Sequence, residues 1–193
     1  FFVGFVARPI GAAIFGHLGD RVGRKASLVA TLVLMGVATM GIGMLPTHET
    51  AGWWGAVGLV LLRTLQGIGV GGEWGGSVLI ALEWVPGSRR RGFVASWPQF
   101  GVPVGLLLAN GALFAAQKLP PETFMSWGWR VPFLLSGILI ALGLWIRTGV
   151  SETPVFRAFR EAGDHAERPV LETLKTHGVE VVLAALVRTS QMT

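Results

Sequence analysis

The 193-residue sequence has no cysteine and no tyrosine, and only 14% of it is charged. Without cysteine there is no disulfide framework, no thiolate nucleophile and no cysteine metal site, and the redox compartment leaves no mark. Scarce charge beside 51% hydrophobic residues and a mean hydropathy of +0.58 argues against a soluble globular domain. His17, His48, His165 and His177 are scattered and show no metal-ligand spacing. Ser77, Ser96 and Ser136 lack a G-x-S-x-G elbow and a histidine partner, which speaks against an intramembrane hydrolase. No phosphate loop is present, so transport driven by ATP in this chain is unsupported, and no cofactor is expected. Phe1 lies inside an apolar run, with no methionine, no signal-peptide n-region and no cleavage site, so the sequence reads as a piece of a longer chain.

What the sequence does have is long apolar runs. A bilayer core of about 30 Å needs roughly 20 helical residues, and on that scale the runs divide into spans at 27–45, 54–82, 93–116 and 129–146. Residues 1–16 are the remainder of a further span, and 179–187 the start of another. The 54–82 run exceeds what the core requires, and its glycines make bending easy. Eleven of the sixteen Lys and Arg fall in the segments 16–26, 83–92 and 147–175, whereas the alternate loops hold only Lys118 and Arg130. That asymmetry makes the three basic segments cytoplasmic, so the pI near 11 reflects topology and implies no nucleic-acid partner. Trp53, Trp54, Trp84, Trp127, Trp129 and Trp145 fall at the span ends, where an indole is apolar on its face and wet at its N–H. In the polar stretch 151–176, Val155, Phe156 and Phe159 fit a short amphipathic helix on the membrane surface, and a solvated linker fits equally well.

Two strings are more specific. The first is Gly16-His17-Leu18-Gly19-Asp20-Arg21-Val22-Gly23-Arg24-Lys25, an acid and a basic cluster among glycines between two spans. It resembles the G-x-x-x-D-R-x-G-R-K loop between the second and third helices of the major facilitator superfamily. The second runs from Leu61 to Gly76 and places Arg63, Gln66 and Glu73 inside one apolar span, where polar groups are costly and usually face a bundle interior or a wet cavity. At 100° per residue Arg63, Gln66, Gly67, Val70 and Trp74 share a face, with Glu73 about 80° away. The charges read either as cavity groups or as packing locks partnered on neighbouring helices. Gly67, Gly71 and Gly75, and Gly72 with Gly76, repeat at four-residue spacing and suit close helix packing.

Arg63-Thr64-Leu65-Gln66-Gly67 resembles the superfamily's R-x-x-Q-G signature in its fourth helix. Gly71-Gly72-Glu73-Trp74-Gly75-Gly76, Arg90-Arg91-Gly92, Ser96-Trp97-Pro98-Gln99, Arg8-Pro9, Gly128-Trp129-Arg130 and Glu152-Thr153-Pro154-Val155-Phe156 are similar to its metabolite:proton symporter branch. Arg8 and Arg63 both fall towards mid-membrane, where two guanidinium groups suit carboxylates; pairing of Arg8 with an acid on an absent helix is the other reading. Pro9 frees the carbonyl of Phe5, which suggests a kink or a bound water there. Gln99 and Asn110 are neutral cavity candidates or interhelical glue.

The resemblance implies an all-α membrane protein: the amino-terminal six-helix half of a twelve-helix major facilitator fold, missing the first helix and ending in the seventh. Residues 1–149 are then the transmembrane bundle of helices two to six, 150–176 the cytoplasmic linker between halves, and 177–193 the start of the seventh helix. It also implies proton-coupled symport of a small organic acid or zwitterionic metabolite by alternating access, with the proton as coupling ion. The partners expected are that metabolite, the lipid bilayer, here a bacterial inner membrane, and the carboxy-terminal half of the same chain. A membrane sensor or scaffold of the same fold that carries no flux is the alternative. Gly16, Asp20, Arg21, Gly23, Arg24 and Lys25, with Glu83 and Arg91, are expected to form a cytoplasmic gate. Arg8, Arg63, Gln66, Glu73, Gln99 and Asn110 are expected to line the substrate and proton cavity, with Glu73 as the proton-linked acid.

Overall fold

Long helices follow from long apolar runs, and five of them dominate the computed structural model, which describes residues 2–85, 87–149, 151–161 and the single positions 178, 179 and 183. In chain order they are α1 (Phe2–Val22), α2 (Arg24–Met44), the short α3 (His48–Ala51), α4 (Trp53–Glu83), α5 (Arg91–Gln117), the short α6 (Pro121–Ser126), a 3-10 turn (Gly128–Arg130), α7 (Val131–Gly149) and α8 (Pro154–Glu161). Among the described residues there is no strand. The five long elements are α1, α2, α4, α5 and α7 with its preceding turn, and each is long and apolar enough to cross a membrane. At 31 residues α4 is about 46 Å long, well beyond the bilayer core. Pro9 in α1 and Pro98 and Pro103 in α5 interrupt neither helix.

The segment 16–26 corrects the expectation of a loop. α1 runs on through Asp20 and Arg21 to Val22, α2 starts at Arg24, and Gly23 alone makes the turn at φ +123°. A side chain at Gly23 would be strained at that φ and would also strike the Glu152 carboxylate. Part of the 151–176 stretch is helical, as α8, with Val155 exposed and Phe156 half-buried. The rest of the expected linker and most of the expected next span lie outside the described residues.

The interior is built from small residues while large apolar ones face outward. Ala7, Gly11, Gly19, Ser27, Thr31, Gly36, Ala38, Gly67, Gly69 and Gly72 are buried, whereas Phe2, Trp53, Trp54, Leu107 and Trp145 are exposed. In lipid the hydrophobic effect does not drive helices together, and close backbone approach with good van der Waals contact does. α4 packs chiefly on α1 and α2, α2 also packs on α7, and α5 stands at the side with light contacts to α4 and α7. The α1–α4 seam is tight: a Cβ at Gly11 would run into the Ile68 backbone, one at Gly67 into Gly4, and one at Gly71 into the Arg8 carbonyl. Gly75, in the same four-residue series, has open space around it.

Candidate functional site

A cavity of about 310 Å3 opens between α1, α2 and α4, lined by Gly4, Phe5, Arg8, Met35, Thr39, Arg63, Gln66, Gly67 and Val70. The tight α1–α4 seam brings Arg8 and Arg63 to its wall, because the glycines opposite them let the two backbones meet. A terminal nitrogen of Arg63 donates to the Gln66 Oε1 at 3.1 Å, one turn on, and Gln66 Nε2 donates to the Thr39 hydroxyl at 2.7 Å. Thr39 in turn donates to the Met35 carbonyl at 2.7 Å. The Arg8 guanidinium lies over the Phe5 ring, 4.1 Å from its centroid, in a cation–π contact. No carboxylate lines this cavity among the described residues.

Glu73 sits elsewhere. Its Oε1 takes a hydrogen bond from a terminal nitrogen of Arg147 on α7, and the other terminal nitrogen of Arg147 donates to the Leu28 carbonyl on α2. Both side chains are roughly four-fifths buried, and Glu73 Oε2 is buried with no hydrogen-bond partner. The geometry is that of a lock partnered on a neighbouring helix, one of the two readings open from sequence. Gln99 and Asn110, also expected in the cavity, lie on exposed faces of α5, where Asn110 donates to the Leu106 carbonyl of its own helix at 2.8 Å.

At the basic end of the bundle the charges form a connected cluster. Arg24 hydrogen-bonds Asp20 across the Gly23 turn and donates through Nε to Glu83 Oε1 at 3.3 Å, tying α1 and α2 to the end of α4. Glu83 Oε2 accepts from the buried Thr153 hydroxyl at 2.6 Å, and Thr153 also receives the Phe156 N–H, as an N-cap does for α8. The Glu152 carboxylate meets the Lys25 N–H at 3.3 Å, at the start of α2, where free N–H groups and the helix dipole favour an anion. Lys25 Nζ reaches the Thr148 carbonyl at the end of α7 at 3.0 Å. Gly16 is exposed nearby and Arg21 lies on the exposed side of α1, whereas Arg91 begins α5 and has no ion pair among the described residues.

Sequence reasoning singled out Arg8, Arg63, Gln66, Asp20, Arg24 and Glu83, missed Thr39 and Arg147 as contact residues, and named Thr153 only within a string that resembles the family, without its bond to Glu83. Thr39 gave no signal, since a lone threonine in an apolar span has the ordinary option of bonding its own helix backbone. In the sequence Arg147 reads only as one of the basic residues of a cytoplasmic segment, although it ends an apolar run.

The sequence profile of the sugar (and other) transporter family matches residues 2–192. The chain is 49% identical over 95% of its length to the inner membrane metabolite transport protein YhjE of Escherichia coli (strain K12). It is 45% identical over 92% of its length to the shikimate transporter of the same organism, and 36% identical over 89% to its proline/betaine transporter. It covers 41%, 41% and 34% of those three proteins, so it spans about two-fifths of the relatives it matches. Among solved structures, the partially occluded inward-open xylose transporter XylE from E. coli superposes with a TM-score of 0.72 at 26% identity, over 82% of this chain and 38% of that one. These relatives are transporters, not enzymes. The chain belongs to the sugar (and other) transporter family, within the major facilitator superfamily.

Proposed function

We propose that this chain supplies the amino-terminal bundle of a secondary transporter that carries a small organic acid with protons across a bacterial inner membrane by alternating access. The observation that carries this reading is the pair of arginines, Arg8 and Arg63, on the wall of one cavity. Two guanidinium groups in a partly desolvated cleft favour a carboxylate solute, each offering charge-assisted and bidentate hydrogen bonds. A zwitterion would bring a cation into the same space without a counter-charge, and the Phe5 ring that could receive a quaternary ammonium is already covered by Arg8. Residues 1–149 form the bundle, 150–176 join it to the second half, and 177–193 begin the next span.

The cluster of Asp20, Arg24, Glu83 and Thr153 is the cytoplasmic gate in this reading. Gly23 permits the turn that lets Arg24 bridge two acids, and α8 enters through the Thr153 hydroxyl, so movement of the linker is felt at the ends of α1, α2 and α4. Of the two ion pairs, Asp20–Arg24 is the more exposed and so the weaker, which suits a contact that must form and separate in every cycle.

The test is equilibrium binding of shikimate, α-ketoglutarate and citrate to the purified intact protein. Arg8→Gln and Arg63→Gln are each expected to weaken carboxylate binding by about ten- to a hundred-fold, the scale of a hydrogen bond to a charged group. Unchanged affinity in both variants contradicts the assignment.

A further inference from the structure

We infer that Thr39 is a positioning residue for anion binding: its hydroxyl fixes the Gln66 amide, and that amide holds Arg63 towards the solute. The inference rests on the carboxylate reading of the cavity. Four groups stand in series: Arg63, Gln66, Thr39 and the Met35 carbonyl, linked at 3.1, 2.7 and 2.7 Å. Donor and acceptor roles are forced along the whole series. Arg63 has donors alone, so the Gln66 oxygen must face it and the Gln66 N–H group meets the Thr39 hydroxyl, which then accepts and gives its own proton to the Met35 carbonyl. The Gln66 Nε2 must therefore face α2, and its Oε1 must face α4's own Arg63, which has donors alone. The reversed amide would set its N–H group against the guanidinium, donor against donor.

The consequence is a guanidinium pinned from across a helix interface. An arginine side chain loses much rotamer freedom when it binds an anion, and one already held by a fixed acceptor loses less. The β-branch of Thr39 adds to this by limiting χ1, so the hydroxyl is placed before the amide arrives. A threonine whose hydroxyl served only its own helix would bond Met35 and nothing more. The second bond, from a neighbouring helix at 2.7 Å, is the feature that an isolated helix does not require.

The experiment uses the intact protein in proteoliposomes, with uptake of shikimate, α-ketoglutarate and citrate measured over a range of concentrations. For the carboxylate that the wild type carries, Thr39→Val should raise KM about five-fold, on the scale of one neutral hydrogen bond, with kcat little changed. Thr39→Ser should restore the wild-type KM. Gln66→Leu, which removes the middle link, should raise KM at least as much, and Thr39→Val added to it should raise KM no further. A KM in Thr39→Val equal to that of the wild type, or effects of the two substitutions that simply multiply, overturns the relay while leaving the carboxylate reading in place. If the wild type carries none of the three carboxylates, both that reading and this inference fall.

Discussion

Arg147 at the end of α7 holds the Glu73 carboxylate on α4 and, with its other terminal nitrogen, the Leu28 carbonyl on α2. One guanidinium thus joins three helices. Because both partners are largely buried, losing one leaves the other charge without compensation, and that loss costs more than the intact pair contributes. Arg147→Met is expected to destabilise the intact protein in detergent by about 3–5 kcal/mol, measured by chemical unfolding. The double variant Glu73→Gln, Arg147→Met should recover part of that loss. A single variant as stable as the wild type contradicts the lock.

In the proposed cycle Glu73, whose charge ties α4 to α7 through Arg147, is the proton-linked acid. A proton there would weaken the hold on Arg147 and let α4 and α7 shift relative to each other. Glu73→Gln is expected to permit solute exchange while removing the dependence of uptake on an imposed pH gradient. Proton dependence that survives this substitution reduces Glu73 to the counter-charge of Arg147.

Asp20 and Glu83 share Arg24 at the basic end, and only one of the two contacts is made within a single turn of chain. Asp20→Asn is expected to lower the rate of uptake several-fold while leaving carboxylate affinity within about two-fold, since the gate is remote from the cavity and exposed ion pairs contribute little to stability. Uptake at the wild-type rate contradicts a gating role.

The glycine series on α4 offers a comparison internal to one helix. A Cβ at Gly71 collides with the Arg8 carbonyl, whereas one at Gly75 meets nothing. Gly71→Ala should therefore separate α1 from α4, destabilise the bundle by about 1–3 kcal/mol as overpacking does, and displace Arg8 from the cavity. Gly75→Ala should be neutral or slightly stabilising, because alanine favours helix over glycine by about 1 kcal/mol. Similar unfolding midpoints for the two variants would sink the close-packing account.

Four of the five long helices were legible as apolar runs of bilayer length broken by few polar residues, with ends within a few residues of the expected ones, whereas α1 runs to Val22, past the expected end at 16. The Asp20 segment was misread as a loop because its charges resemble a surface turn; helix continues through them until Gly23, whose positive φ reverses the chain. Arg8, Arg63 and Gln66 stood out because polar groups are rare in apolar spans, and the fold brings these three to one cavity. The same reasoning placed Glu73, Gln99 and Asn110 there too. Helical periodicity gives the face of a residue on its own helix but says nothing of which neighbour that face meets. Glu73 meets Arg147 on α7, and α5 turns Gln99 and Asn110 outward. Thr39, Arg147 and Thr153 act through contacts 27, 74 and 70 residues distant in sequence, which no local pattern contains.

The most direct test of the central claim is uptake by the intact protein in proteoliposomes, with shikimate, α-ketoglutarate, citrate, proline and betaine supplied under an inward proton gradient that is then collapsed. The account predicts saturable uptake of a carboxylate that falls when the gradient is removed and whose KM rises about ten-fold or more in Arg63→Gln. Absence of gradient-dependent uptake for every compound, or uptake confined to the zwitterions, contradicts it.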